Sequence, residues 1–91
     1  ILSLENTKII SVSPNPSNDQ IEISMSIEKS VQNANLQVHD LNGKLLNNLI
    51  INDRANNITR TLQKDNFGSG VYIVSLVVNG KNIDSKKIIY N

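Results

Sequence analysis

Cysteine and tryptophan are both absent from the 91 residues. Without cysteine no disulfide, thiolate metal site or cysteine nucleophile can form. A disulfide-free domain of this length must then rely on a well-packed sandwich or barrel, or on a neighbour. Aromatic residues make up only 3%, so the core has to be aliphatic. Neither sign of charge dominates, because nine Lys and Arg face eight Asp and Glu. A net charge of +1 gives no general attraction to nucleic acid. No stretch approaches the roughly 18 to 20 consecutive apolar residues of a membrane-spanning helix. No basic-then-apolar leader opens the sequence. The length suits one small domain and not two.

What the chain does contain is Ile, Leu and Val, with 13, 9 and 7 copies against 2 Ala. Such β-branched, Ala-poor composition favours strands. Asn is the commonest residue at 15 copies, many of them between apolar stretches, where its tolerance of turn geometry punctuates strands.

Period-two alternation is clearest over Gln20 to Glu28, with Ile21, Ile23, Met25 and Ile27 on one face and Glu22, Ser24, Ser26 and Glu28 on the other. A first strand is expected over Lys8 to Ser13, and others over Leu36 to Asp40 and Lys44 to Asn52. A helical reading of Leu45, Leu46, Leu49 and Ile50 fails on Asn47-Asn48, which form helix poorly. Ile58 to Leu62 is a further strand. Gly70 to Val78 is a near-continuous apolar run fit for a central strand, and Lys81 to Tyr90 completes the set. Asn42-Gly43 and Asn79-Gly80 read as hairpin turns with positive φ at both central residues. Seven short strands with turns every 8 to 15 residues predict an all-β fold, a seven-stranded antiparallel immunoglobulin-like β-sandwich.

Catalytic constellations are missing from the pattern. His39 is the one histidine, and its parity turns it away from Leu36 and Val38 toward solvent. No GxSxG elbow, phosphate loop, zinc spacing or Asp-rich calcium loop occurs, so neither an enzyme nor a cofactor is expected. Asn57-Ile58-Thr59 meets the glycan-acceptor pattern, which three residues often meet by chance.

Four segments stand out instead. Pro14-Asn15-Pro16 fixes two φ angles and removes two N–H donors, which predicts a stiff, unpaired corner that lets strands one and two enter different sheets. Asp40-Leu41-Asn42-Gly43-Lys44 reads as a turn, with Asp40 accepting from turn N–H groups and Gly43 supplying positive φ. Gly68-Ser69-Gly70 leads into Val71-Tyr72, its missing side chains permitting a close backbone crossing; Tyr72 shares the parity of Val74, Leu76 and Val78, so its ring belongs to the core with the hydroxyl at an edge. Lys86-Lys87-Ile88-Ile89-Tyr90-Asn91 is either a charged, protected edge or an exposed strand read by a partner.

Taken in order, Val12 to Ser17, Ile21-Glu22-Ile23, Val38 to Leu45, Gly70 to Val74 and Lys86 to Ile89 resemble the type A C-terminal sorting domain of the type IX (Por) secretion system of Bacteroidota. The resemblance covers residues 9 to 91. Asn42 stands where many relatives have Thr or another small polar residue, and Phe67 where Leu is frequent. It implies a domain that follows an upstream cargo domain in the same chain and is read by translocon, shuttle and sortase components. The cargo would pass from the periplasm to the outer-membrane surface, often with cleavage by a sortase-like cysteine protease and attachment to lipopolysaccharide. It places recognition on Lys86, Lys87, Ile88, Ile89, Tyr90 and Asn91. Pro14, Asn15, Pro16, Asp40, Gly43, Lys44, Gly70, Val71 and Tyr72 would then be motif or structural positions. Residues 1 to 8 are expected to be the linker to the cargo and to hold the cut, or to follow it. The competing reading is an immunoglobulin- or fibronectin-like spacer or binding module of a secreted enzyme or adhesin. Three aromatic residues in all are a poor sugar-stacking platform.

Overall fold

A computed structural model describes residues 7–13 and 15–91. Pro14 and residues 1–6 of the expected linker lie outside the described residues. Seven strands follow in order: β1 (Lys8–Ser13), β2 (Gln20–Ser26), β3 (Ala34–Asp40), β4 (Leu45–Ile50), β5 (Ile58–Gln63), β6 (Gly70–Val78) and β7 (Lys81–Tyr90). One 3-10 turn, Lys64–Asn66, separates β5 from β6. A three-stranded sheet runs β1-β2-β5 and a four-stranded sheet runs β4-β3-β6-β7, with antiparallel pairing throughout. This is the seven-stranded immunoglobulin-like sandwich the sequence predicts.

The alternation in β2 buries Ile21, Ile23 and Met25 completely. From the other sheet Leu36, Val38, Val74, Leu76 and Ile88 meet them, all at 0% exposure. Each such aliphatic side chain contributes roughly 1.5 to 3 kcal/mol by leaving water. β6 reads as a continuous apolar run because it lies between β3 and β7. Its inward residues are buried, and Val71, Ile73 and Val77 on its outer side are half-buried.

Two expectations need correction. β1 and β2 do not enter different sheets; they pair antiparallel, with Ser13 opposite Glu22. The corner between them is not unpaired either, since Asn15 and Ser17 bond to β7. The second correction concerns the turns. Asn79 and Gly80 both take positive φ, 52° and 80°, as a two-residue turn requires. At β3–β4 only Gly43 does, with φ 87°. That turn is longer, because Asp40 N donates to Lys44 O across Leu41-Asn42-Gly43. The Asp40 carboxylate holds it by accepting from Asn42 N and Lys44 N, both at 2.9 Å. With that support, one left-handed residue is enough.

Candidate recognition surface

The four segments singled out in the sequence meet at one end of the four-stranded sheet. Gly70, Val71 and Tyr72 pair in register with Tyr90, Ile89 and Ile88. Tyr72 is also opposite Asp40 on β3, which opens the turn holding Gly43 and Lys44. Asn15 and Ser17 reach the outer edge of the same stretch of β7. Hydrogen bonds at this end thus join residues as far as 74 positions apart, as Asn15 and Ile89 are.

Residues 86 to 91 do not form one surface. Ile88 and Tyr90 point inward and are buried, with Tyr90 only 2% exposed. Lys86, Lys87 and Asn91 are exposed and Ile89 is half-buried. Lys86 is opposite the fully buried Val74 and Lys87 is opposite Ile73, so alternation sends the two ammonium groups to opposite sides of the strand.

Tyr90 closes the core from this end. Its ring lies 6.3 Å from that of Phe67 and 6.2 Å from that of Tyr72, and Phe67 and Tyr72 are 5.6 Å apart. Every aromatic side chain of the protein is therefore in one cluster. The Tyr90 hydroxyl crosses to the other sheet and donates to Leu62 O. Burial pushes this hydroxyl above its usual ionisation range; Tyr72 and Asp19 push the same way, and the Ile21 backbone opposes them. The Tyr72 hydroxyl sits at the core's edge against Phe67 O (2.8 Å) and Gly68 O (3.0 Å), as its parity predicts. A Cβ on Gly70 would meet that hydroxyl at 3.4 Å, and its φ of 147° disfavours any side chain. The glycine is thus set by backbone conformation and by Tyr72, and not by a crossing strand.

The outer edge of β7 is already occupied. Ile89 N donates to Asn15 Oδ1 (2.9 Å) and Asn15 Nδ2 donates to Lys87 O (3.0 Å), so this amide copies a peptide group of a neighbouring strand. Ser17 N donates to Ile89 O and Asn91 N to Ser17 O. Asn91 is held further by Asn18 Oδ1 and by the Ser69 hydroxyl. Pro16 is exposed beside these bonds. Upstream on β7, Asp84 takes Ile9 N on Oδ2 and Ser85 N on Oδ1, fastening β1 to β7. Nothing in its sequence surroundings marks Asp84 for this, because its partner is 75 residues away.

Outward, the same sheet end offers side chains. One row crosses it as Leu45, His39, Ile73 and Lys87, and the next pairs Val71 with Ile89. The sheet's carboxylates, Asp40 and Asp84, occupy inward positions opposite Tyr72 and Leu76 and are spent on backbone N–H groups. Leu41 at 66%, Leu45 at 48% and Leu46 at 38% are exposed near this hairpin, while Ile50 at 69% is exposed at the far end of β4 and Ile10 at 47% on β1. His39 is on the outer face, as its parity predicts, and half-buried there, and among the described residues no nucleophile is hydrogen-bonded to it. Among the described residues no three His, Cys, Asp or Glu gather as metal ligands, and no helix is long and apolar enough to cross a membrane.

One protein-family model, described as a secretion system C-terminal sorting domain, matches residues 11–91. No curated protein matches the chain.

Proposed function

Because the chain belongs to the family of secretion system C-terminal sorting domains, we propose that it is a folded, non-catalytic address label that the type IX machinery reads on an upstream cargo. As a type IX sorting signal it directs secretion across the outer membrane, to the cell surface or beyond. The carrying observation is the convergence of Asn15, Asp40, Gly70-Val71-Tyr72 and residues 87 to 91 on one sheet end. A machine that accepts many passengers needs a constant shape, and a sandwich locked at its last strand supplies one.

In this reading the cargo waits in the periplasm, and translocon, shuttle and sortase components engage the domain in turn. The exposed part of the terminal segment, Lys86, Lys87 and Asn91 with half-buried Ile89, makes contact. Ile88 and Tyr90 hold that segment in place. A sortase-like protease then cuts upstream of Thr7 and attaches the cargo to surface lipopolysaccharide. Thr7 is buried with its Oγ1 accepting Glu28 N, and β1 starts at Lys8, so a protease needing an extended segment works before them.

The test is a fluorescent reporter fused ahead of residues 1–91 in a Bacteroidota host with an intact type IX system. Reporter outside the outer membrane is expected, with retention in a host lacking the system. Retention in both hosts contradicts the reading. N-terminal sequencing of the released domain locates the cut.

A further inference from the structure

Both edges of the four-stranded sheet are poorly suited to strand addition. Asn15 and Ser17 fill the β7 edge over residues 87 to 91. On β4 a bulge shifts the register at Val38/His39, and Asn48 N donates to the neighbouring Asn47 Oδ1 at 2.8 Å. Bulges and filled edges are how sheets avoid pairing with another chain. What remains readable at the motif end is the outer face.

The geometry points to Leu45, Val71, Ile73 and Ile89, around His39 and Lys87, as a docking surface for a secretion-machinery protein that presents an apolar face bearing carboxylates. This rests on the sorting-signal reading. Strands are about 4.8 Å apart, so the row from Leu45 to Lys87 spans about 15 Å, the width of a small contact core. Its charge is one-sided. Lys87 has no carboxylate partner among the described residues, and the sheet's own Asp40 and Asp84 face the other way. A second copy stacked by this face offers Lys87 no carboxylate, because the sheet's Asp40 and Asp84 occupy inward positions, so self-association leaves that charge unpaired. An anionic lipid surface is recognised by clusters of about four to eight Lys or Arg, and this face holds one. An acidic, apolar protein surface satisfies both the aliphatic side chains and the single cation. The outer face of the three-stranded sheet, with Glu22 opposite Thr61, lacks this character.

The experiment scores delivery of the reporter fused to residues 1–91, with far-UV circular dichroism and thermal melting on each chain. Lys87→Glu is the primary variant, since an exposed side chain without a partner leaves the fold intact. Lys87→Arg retains the charge, Ile73→Thr with Ile89→Thr removes apolar contact while keeping β-branching, and Glu22→Lys controls for the other sheet. A fall of about tenfold or more is expected for Lys87→Glu and for the double variant, with Lys87→Arg and Glu22→Lys near the unmodified level. Wild-type delivery by a folded Lys87→Glu chain overturns the inference. So does Lys87-dependent binding to lipopolysaccharide vesicles, or a dimer in sedimentation that Lys87→Glu changes. If the unmodified fusion is itself retained, the sorting reading fails and this inference falls with it; if it is delivered along with every variant, only the docking face is wrong.

Discussion

Asn15 stands to Ile89 as a strand neighbour would, although only its side chain makes the contact: Oδ1 accepts the Ile89 amide at 2.9 Å while Nδ2 serves Lys87 O at 3.0 Å. Two Pro residues flank it and neither has an N–H to offer, so the side-chain amide supplies the donor that the backbone on either side lacks. Asn15→Ala therefore frees the Ile89 amide and the Lys87 carbonyl on the outer edge of β7. About 1 kcal/mol of stability is expected to go. The sharper sign is local, with faster hydrogen exchange at the Ile89 amide than at Val74. Unchanged exchange at Ile89 contradicts this role.

Tyr90 joins the two sheets, so its loss should be felt globally. Tyr90→Ala empties an aromatic site in the core and is expected to cost about 3 to 5 kcal/mol in chemical denaturation. Tyr90→Phe keeps the ring and loses the bond to Leu62 O, at about 1 kcal/mol.

The same hydroxyl makes stability depend on pH. Burial raises its ionisation above the ordinary 10.0, so the folded state favours the neutral phenol. Below 10.0 both states are protonated and the full stability is present. As pH rises through 10.0 toward the higher folded value, the unfolded chain releases its proton first and stability is lost. Melting temperature is expected to fall more steeply above pH 10.0 in the wild type than in Tyr90→Phe. Parallel curves would remove Tyr90 as the cause.

Gly43 is needed for its backbone and not for space. No atom lies within 4 Å of where its Cβ would be, yet φ is 87°. Gly43→Ala is expected to destabilise by roughly 1 to 2 kcal/mol, the cost of a left-handed L-residue. Gly43→Asn should recover part of that, because Asn visits this region more readily. Equal denaturation midpoints for the three chains would contradict the assignment.

The strands were legible because each depends on local alternation, from the Ile21-Ile23-Met25 face of β2 to the continuous run of β6 between two neighbours. Tyr72 was legible for the same reason, since parity alone put its ring inside. Contacts between distant residues were not. The bonds from Asn15 to β7 and from Ile9 to Asp84 join residues 72 to 75 apart, and no local pattern encodes them. The corner at residues 14 to 16 was expected to separate sheets because the prolines show where β1 stops and not where β2 goes. Residues 86 to 91 read as one segment in sequence, but pleating divides them between core and surface.

The most direct test removes Ile88 to Asn91 from the reporter fusion and measures the fraction outside the outer membrane. The full chain is expected to be delivered and the truncated one retained, because Ile88, Tyr90, the Asn15 bond to Ile89 and both Ser17 backbone bonds to β7 and Asn91 are lost together. Delivery of the truncated chain at the level of the full chain would contradict a signal built on a locked terminal strand.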